Sequence, residues 1–174
     1  MKRLLLVLGL TASTAALAAP AKPLFADDQP IHIVIKGPIS RFAGSEDRKN
    51  MFPAMLTTGA DNLPVQLSPR GITRLRKDTC DFPPMRVDFT GTPPATSLFA
   101  GQNHLKLVTH CQSNPGFQQY VLLEYATYRL YNLLSPMSFR VRLAQVDYVE
   151  DSGKTGTSRL AFFIEDLKDV AHRN

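Results

Sequence analysis

The residues HLKLVTHCQSNPGFQQYVLLEYATYRLYNLL, 104–134, decide the fold. From His104 to His110 the chain alternates: Leu105 and Leu107 fall on one face of a strand, and Lys106, Val108 and His110 fall on the other. Asn114 suits a helix N-cap, and Pro115 stands at the first helical position, where its missing N–H costs nothing. From Phe117 to Leu134 runs the one long helical pattern of the mature chain, ended by Ser135 and Pro136. Apolar or aromatic residues stand at 117, 121, 125 and 128, and again at 122, 126, 130, 133 and 134. They cover more than one face, which predicts a largely buried helix with the strands wrapped around it. The expected fold class is therefore α+β, an antiparallel β-sheet packed around one central buried helix.

Moving outward from that stretch, Ile31 to Lys36 is short and β-branched, and Gly37 and Pro38 stop it, which predicts a strand. Phe52 to Thr58 and Leu63 to Leu67, joined through residues 59–62, predict a hairpin. Pro64 and Pro69 make its second strand irregular or an edge. Met85 to Phe89 alternates apolar with charged residues, as a half-buried strand does. In the loop 90–103, Leu98 and Phe99 are expected to plug one end of the core. Phe139 to Glu150 is a long two-sided strand, with Phe139, Val141 and Leu143 on one face and Arg140 and Arg142 on the other. A turn at 151–156 leads into a return strand, Arg159 to Ile164, and a short helical start follows Glu165.

Met1-Lys2-Arg3, the apolar run from Leu4 to Leu10 and a small-residue segment ending in Ala16-Leu17-Ala18 predict a secretory signal peptide over 1–18. Residues 19–29 are expected to be a flexible leading segment, and 30–174 a single α+β domain. No later apolar run reaches the ~18 residues of a membrane span, so the expected location is periplasmic or secreted. Without Lys2 and Arg3 the formal charge falls from +5 to +3. That balance suits an anionic or phosphate ligand and is too small to argue for nucleic acid. Two cysteines, Cys80 and Cys111, in an exported chain predict a disulfide, and pairing of 85–89 with 104–110 brings both to one edge. The competing reading, a reactive thiol beside His110, lacks a third group to orient the pair. Two cysteines without C-x-x-C spacing make a poor zinc set.

The succession of strand, helix, long strand, hairpin and final strand is also the order in the small lobe of protein-kinase-like folds. There a strand Lys pairs with a helix Glu, and Lys106 and Glu124 occupy those places here. Either the two meet in a protected site, or Glu124 lies on the wet edge of the helix and Lys106 is simply solvated. Arg70-Gly71, the strand Met85 to Phe89, the run Leu98 to Gln102, the helix, and Phe163-Ile164-Glu165-Asp166 together resemble the first half of the spore-coat-protein-H (CotH) type of atypical secreted kinases. The resemblance covers about Ile31 to the end. It implies a kinase small-lobe-like fold in which Arg70, Gly71 and Arg86 contact phosphate, and charge adds Arg74. The plain alternative for the basic run 70–77 is a solvated loop.

CotH-type chains continue into a helical lobe that carries the metal-binding and catalytic aspartates. The resemblance therefore implies ATP and Mg²⁺ binding only together with such a lobe. This chain alone is expected not to transfer phosphate, and as part of a longer protein it would be a CotH-like phosphotransferase. No G-x-S-x-G, no H-E-x-x-H and no usefully spaced carboxylate pair stands in the chain, so no catalytic or metal-ligating set is expected. Two functions are left: the nucleotide-binding half of a CotH-like kinase, or a self-sufficient binding module without enzymatic activity. A lobe built to pack on another is expected to expose a continuous apolar patch along residues 162–170.

Overall fold

Strand alternation in this chain closes a barrel. In the computed structural model, which describes residues 21–59 and 61–174, the strands are β1 (Ile31–Gly37), β2 (Phe52–Thr58), β3 (Asp61–Pro69), β4 (Met85–Phe89), β5 (His104–Val108), β6 (Val141–Glu150) and β7 (Thr155–Ile164). Their order around the barrel is β1-β2-β3-β4-β5-β7-β6. The β2–β3 hairpin pairs Phe52 with Leu67 through to Thr58 with Asp61, and β4 lies antiparallel to β5 with Met85 opposite Leu107. Closure comes from the one parallel pair among the described strands, β1 on β6, from Ile31 opposite Ala144 to Gly37 opposite Glu150. The signal-peptide expectation falls on residues outside those described.

Every second side chain fills the interior. Ile33 and Ile35, Val65 and Leu67, Met85 and Val87, and Leu105 and Leu107 are all buried there, with Ala144, Val146, Ala161 and Phe163 closing the other side. A barrel this small is packed by its own side chains, and each fully buried Leu, Ile or Phe contributes about 1.5–3 kcal/mol over leaving it in water. Aromatic plugs seal the two ends. At one end Phe42, from the short helix α1 (Ile39–Gly44), meets Phe82 at 5.4 Å, and Phe82 rests 4.7 Å from both Tyr148 and His110. At the other end Phe99 packs on Phe89 and Phe163, at 5.4 and 5.7 Å, beside buried Leu24 and Phe25.

This closed barrel overturns the expected α+β sheet around a central helix and its kinase small-lobe geometry. Helix α2 (Gln118–Leu134) lies outside the barrel, and Val121 is its only fully buried residue. The reason is volume: seven strands with inward Leu, Ile, Val and Phe already form a filled core, so no space is left at the centre for a helix. Instead α2 covers the outward apolar face of β5, β7 and β6. There Val121 packs in one cluster with Val108, Val141, Phe162 and Ile164, and Tyr125 and Tyr128 each stand 5.8 Å from the Phe162 ring. The two faces read on 139–150 also take unexpected places. Val141 belongs to the outer cluster under α2, while Arg142 turns inward, buried, and donates to the Leu24 and Asp27 carbonyls.

Cys80 and Cys111 are joined in a disulfide, their Cα atoms 4.7 Å apart. Cys111 holds a φ of +61°, and a neighbouring bridge pairs Phe82 with Cys111, so the crosslink fastens the 70–80 loop to the end of β5. A short helix α3 (Leu167–His172) closes the described chain, capped by the Asp166 side chain on the Lys168 N–H. None of the described helices is long and apolar enough to cross a membrane.

Candidate functional site

The loop after β3 builds the site. Arg70 continues the β3–β4 ladder by one bond, its N–H donating to the Pro84 carbonyl at 2.7 Å. Gly71 then takes a φ of +107°, a backbone conformation that a side chain would strain, and the chain swings out toward α2. A single helical turn, Thr73–Leu75, follows, with Leu75 buried as its anchor and Cys80 tied to Cys111 beyond. The loop is thus held at Pro84, Leu75 and the disulfide, and it presents Arg70 and Arg74 to one edge of the helix.

On that edge Glu124, Tyr128 and Tyr131 follow one another at helix spacings of four and three. Between helix, loop and barrel runs a groove in three adjoining parts. The first, about 360 Å³, has Arg74, His110, Phe117 and Val121 among its walls. The second, about 290 Å³, is walled by Arg70, Gly71, Arg74, Glu124 and Tyr128. The third, about 630 Å³, is walled by Glu124, Tyr128, Tyr131, Met137 and Phe139. Arg74 and Glu124 border both of the first two parts, and their ion pair, at 3.3 Å, stands between them.

Arg70 sets the electrostatics. Its side chain is half-buried and forms no hydrogen bond or ion pair among the described residues, whereas Arg74 leans on Glu124 and Arg86 on Asp88. Burial foremost, and then the charges of Arg86 and Arg74, hold its pKa below the usual arginine value. It is still a cation at neutral pH, because a guanidinium keeps its proton in a protein. Beside it burial, and then Glu124, raise the Tyr128 hydroxyl pKa above its ordinary value, so that group stays a neutral donor. A partly dehydrated, unpaired guanidinium next to two more arginines is a place where an anion gains and a cation loses.

Of the six residues singled out from the chain alone, four meet in the middle part of the groove: Arg70, Gly71, Arg74 and Glu124. Arg86 and Lys106 stand opposite each other on neighbouring strands, outside that lining. The Arg86 Nε sits 2.8 Å from both Asp88 carboxylate oxygens, and the Lys106 ammonium lies 5.8 Å from the centre of the Phe139 ring. Lys106 and Glu124 do not pair; the partner of Glu124 is Arg74. Of the two readings of Glu124, the half-exposed helix edge is the one observed. Tyr128, Tyr131 and Phe139 went unrecognised as groove residues, although Glu124 and Tyr128 four apart already place them on one helix edge.

No protein-family model and no curated protein matches this chain. Its chemistry is therefore read from the groove. Among the described residues no three His, Cys, Asp or Glu side chains gather at one point. What the groove holds is guanidinium donors at one place and aromatic rings along the rest.

Proposed function

We propose that this chain is an exported binding module whose α2-edge groove takes a ligand carrying an anionic group, phosphate by preference, at Arg70 and Arg74. The observation that carries the reading is the half-buried Arg70 guanidinium, which has no carboxylate partner among the described residues and faces a groove. The aromatic part beside it, with Tyr128, Tyr131 and Phe139, suits an apolar portion of the same ligand. Export is supported by the leader pattern in residues 1–18 and by the disulfide, which belongs to an oxidising compartment. From the CotH-type resemblance this reading keeps only the anion-contacting role of Arg70 and Gly71, because a closed barrel is not the small-lobe sheet on which kinase chemistry rests. Glu124, the acid of the groove, is engaged by Arg74 and is not a free base.

Titration calorimetry with inorganic phosphate, phenyl phosphate, and ATP with and without Mg²⁺ tests the proposal. Two charge-assisted contacts, on the order of 1.5–3 kcal/mol each, support dissociation constants on the order of 1 mM for phosphate. Phenyl phosphate should bind more tightly than phosphate, since its ring has the aromatic part of the groove to enter. Arg70→Ala should weaken both about tenfold and leave the urea midpoint unchanged. If all three probes give no heat and no chemical-shift change at Tyr128, the anion-binding reading is wrong.

A further inference from the structure

We propose that the outward face of α2 is a self-association surface, taken by the same helix of a second copy in an antiparallel two-fold pair. The edge 162–170, where a continuous apolar docking patch was expected, exposes Leu167 alone, because Phe162, Phe163, Ile164 and Val170 are buried. Exposed apolar side chains stand singly elsewhere, as at Met51, Ile72 and Leu167, and gather in number on α2. Tyr120, Leu123, Leu130, Tyr131, Leu133 and Leu134 are between 57% and 82% exposed. These six expose on the order of 800 Å², what one partner gives to a standard interface and more than the largest apolar patch of an ordinary monomer.

Charge and symmetry point to a second copy as the occupant. The two charged residues of α2 stand at its flanks and are already neutralised within the chain, Glu124 by Arg74 and Arg129 by Asp28. The outward sector offers nothing to a charged partner protein. It also lacks the lysines and arginines with which surface helices grip lipid headgroups. The order of its side chains is symmetric about the step between Ala126 and Thr127: Leu123 and Leu130 lie three residues to either side of it. An antiparallel pair centred there sets Leu123 on Leu130 of the partner subunit twice, and Leu133 toward Tyr120 of the partner subunit. Small residues then stand at the crossing, where two helices approach most closely. A surface that complements itself in this way is what a two-fold interface requires.

Sedimentation of the purified protein across a micromolar concentration range tests this. A mass of twice the chain, with a dissociation constant on the order of 10 µM or below, is expected. Leu123→Glu with Leu130→Glu changes only exposed positions. It should leave the circular dichroism spectrum intact and weaken the dimer by about 100-fold or more. Ala126→Cys, oxidised at dilution, should crosslink to a dimer through position 126. A monomer at every concentration, a dimer that survives the double substitution, or a monomer that floats with phosphatidylcholine–phosphatidylglycerol vesicles would each overturn the proposal. Neither substitution touches Arg70 or Arg74, so anion binding can fail or persist independently of the result.

Discussion

Replacing His110 by Phe should flatten the acid limb of the stability curve. The imidazole is buried, stacked on Phe82 at 4.7 Å and tilted against Tyr148 at 6.0 Å, and its Nδ1 has no partner among the described residues. Burial foremost, and then the charge of Arg159, lower its pKa from 6.5 to about 4, against an opposing pull from Asp81. The unfolded chain therefore binds a proton here as pH falls through 6.5, and the folded chain does not until about 4. Stability is complete above the unfolded value and is lost as pH drops through that window. The loss comes to roughly 2 kcal/mol by pH 5 and about 3 kcal/mol at the lower limit. Phe keeps the stack on Phe82 and does not titrate. Urea midpoints of the two proteins, measured at steps between those pH limits, should diverge as the wild type weakens and the variant does not. Carboxylates whose pKa lies below the ordinary value, such as Asp147, act below this window and in both proteins alike. Parallel curves for wild type and His110→Phe would refute the buried, neutral histidine.

Arg173→Ala should cost about 3–5 kcal/mol, because it strands Glu165. That carboxylate is 3% exposed and, among the described residues, otherwise takes only the Arg140 N–H at 3.0 Å, as its other contacts come from Arg173. A urea midpoint unchanged from wild type would show Glu165 to be hydrated instead. Cys80→Ala together with Cys111→Ala should lower stability by about 3–4 kcal/mol, the loop-closure value for a 31-residue separation. It should also weaken phosphate binding, since the same crosslink fastens the loop bearing Arg70 and Arg74. Calorimetry of the two forms checks both effects, and full phosphate affinity in the alanine pair would mean that the loop holds its shape alone.

The elements were largely legible in the chain, and their arrangement was not. Strict alternation at 85–89 and 104–108 and the hairpin across residues 59–62 each named a strand that exists. The Asn114 cap and Pro115 located the start of α2 to within a few residues, and Asn114 accepts from the Gly116 N–H at 2.9 Å. Arrangement failed because periodicity reports which residues are apolar, not which neighbour covers them. Leu130, Leu133 and Leu134 read as core and face solvent. Arg142 reads as lying opposite Val141 on a two-sided strand, and nothing in that alternation shows it turning inward to the Leu24 carbonyl. In the site, Arg70, Gly71 and Arg74 stood out because a glycine turn among arginines has a local signature. Their neighbour Tyr128 lines the same pocket from 58 residues away, and its place four residues after Glu124 was the one local sign of it.

The parallel seam between β1 and β6 governs how the chain can mature. Ile31 has to wait for Ala144, so the first strand emerges from the ribosome with its open edge unmatched until most of the polypeptide has been made. A nascent chain in that condition stays pliable and leaves its unpaired edge open to wrong partners. Locking comes late and at once, when the sixth strand arrives to complete the ring.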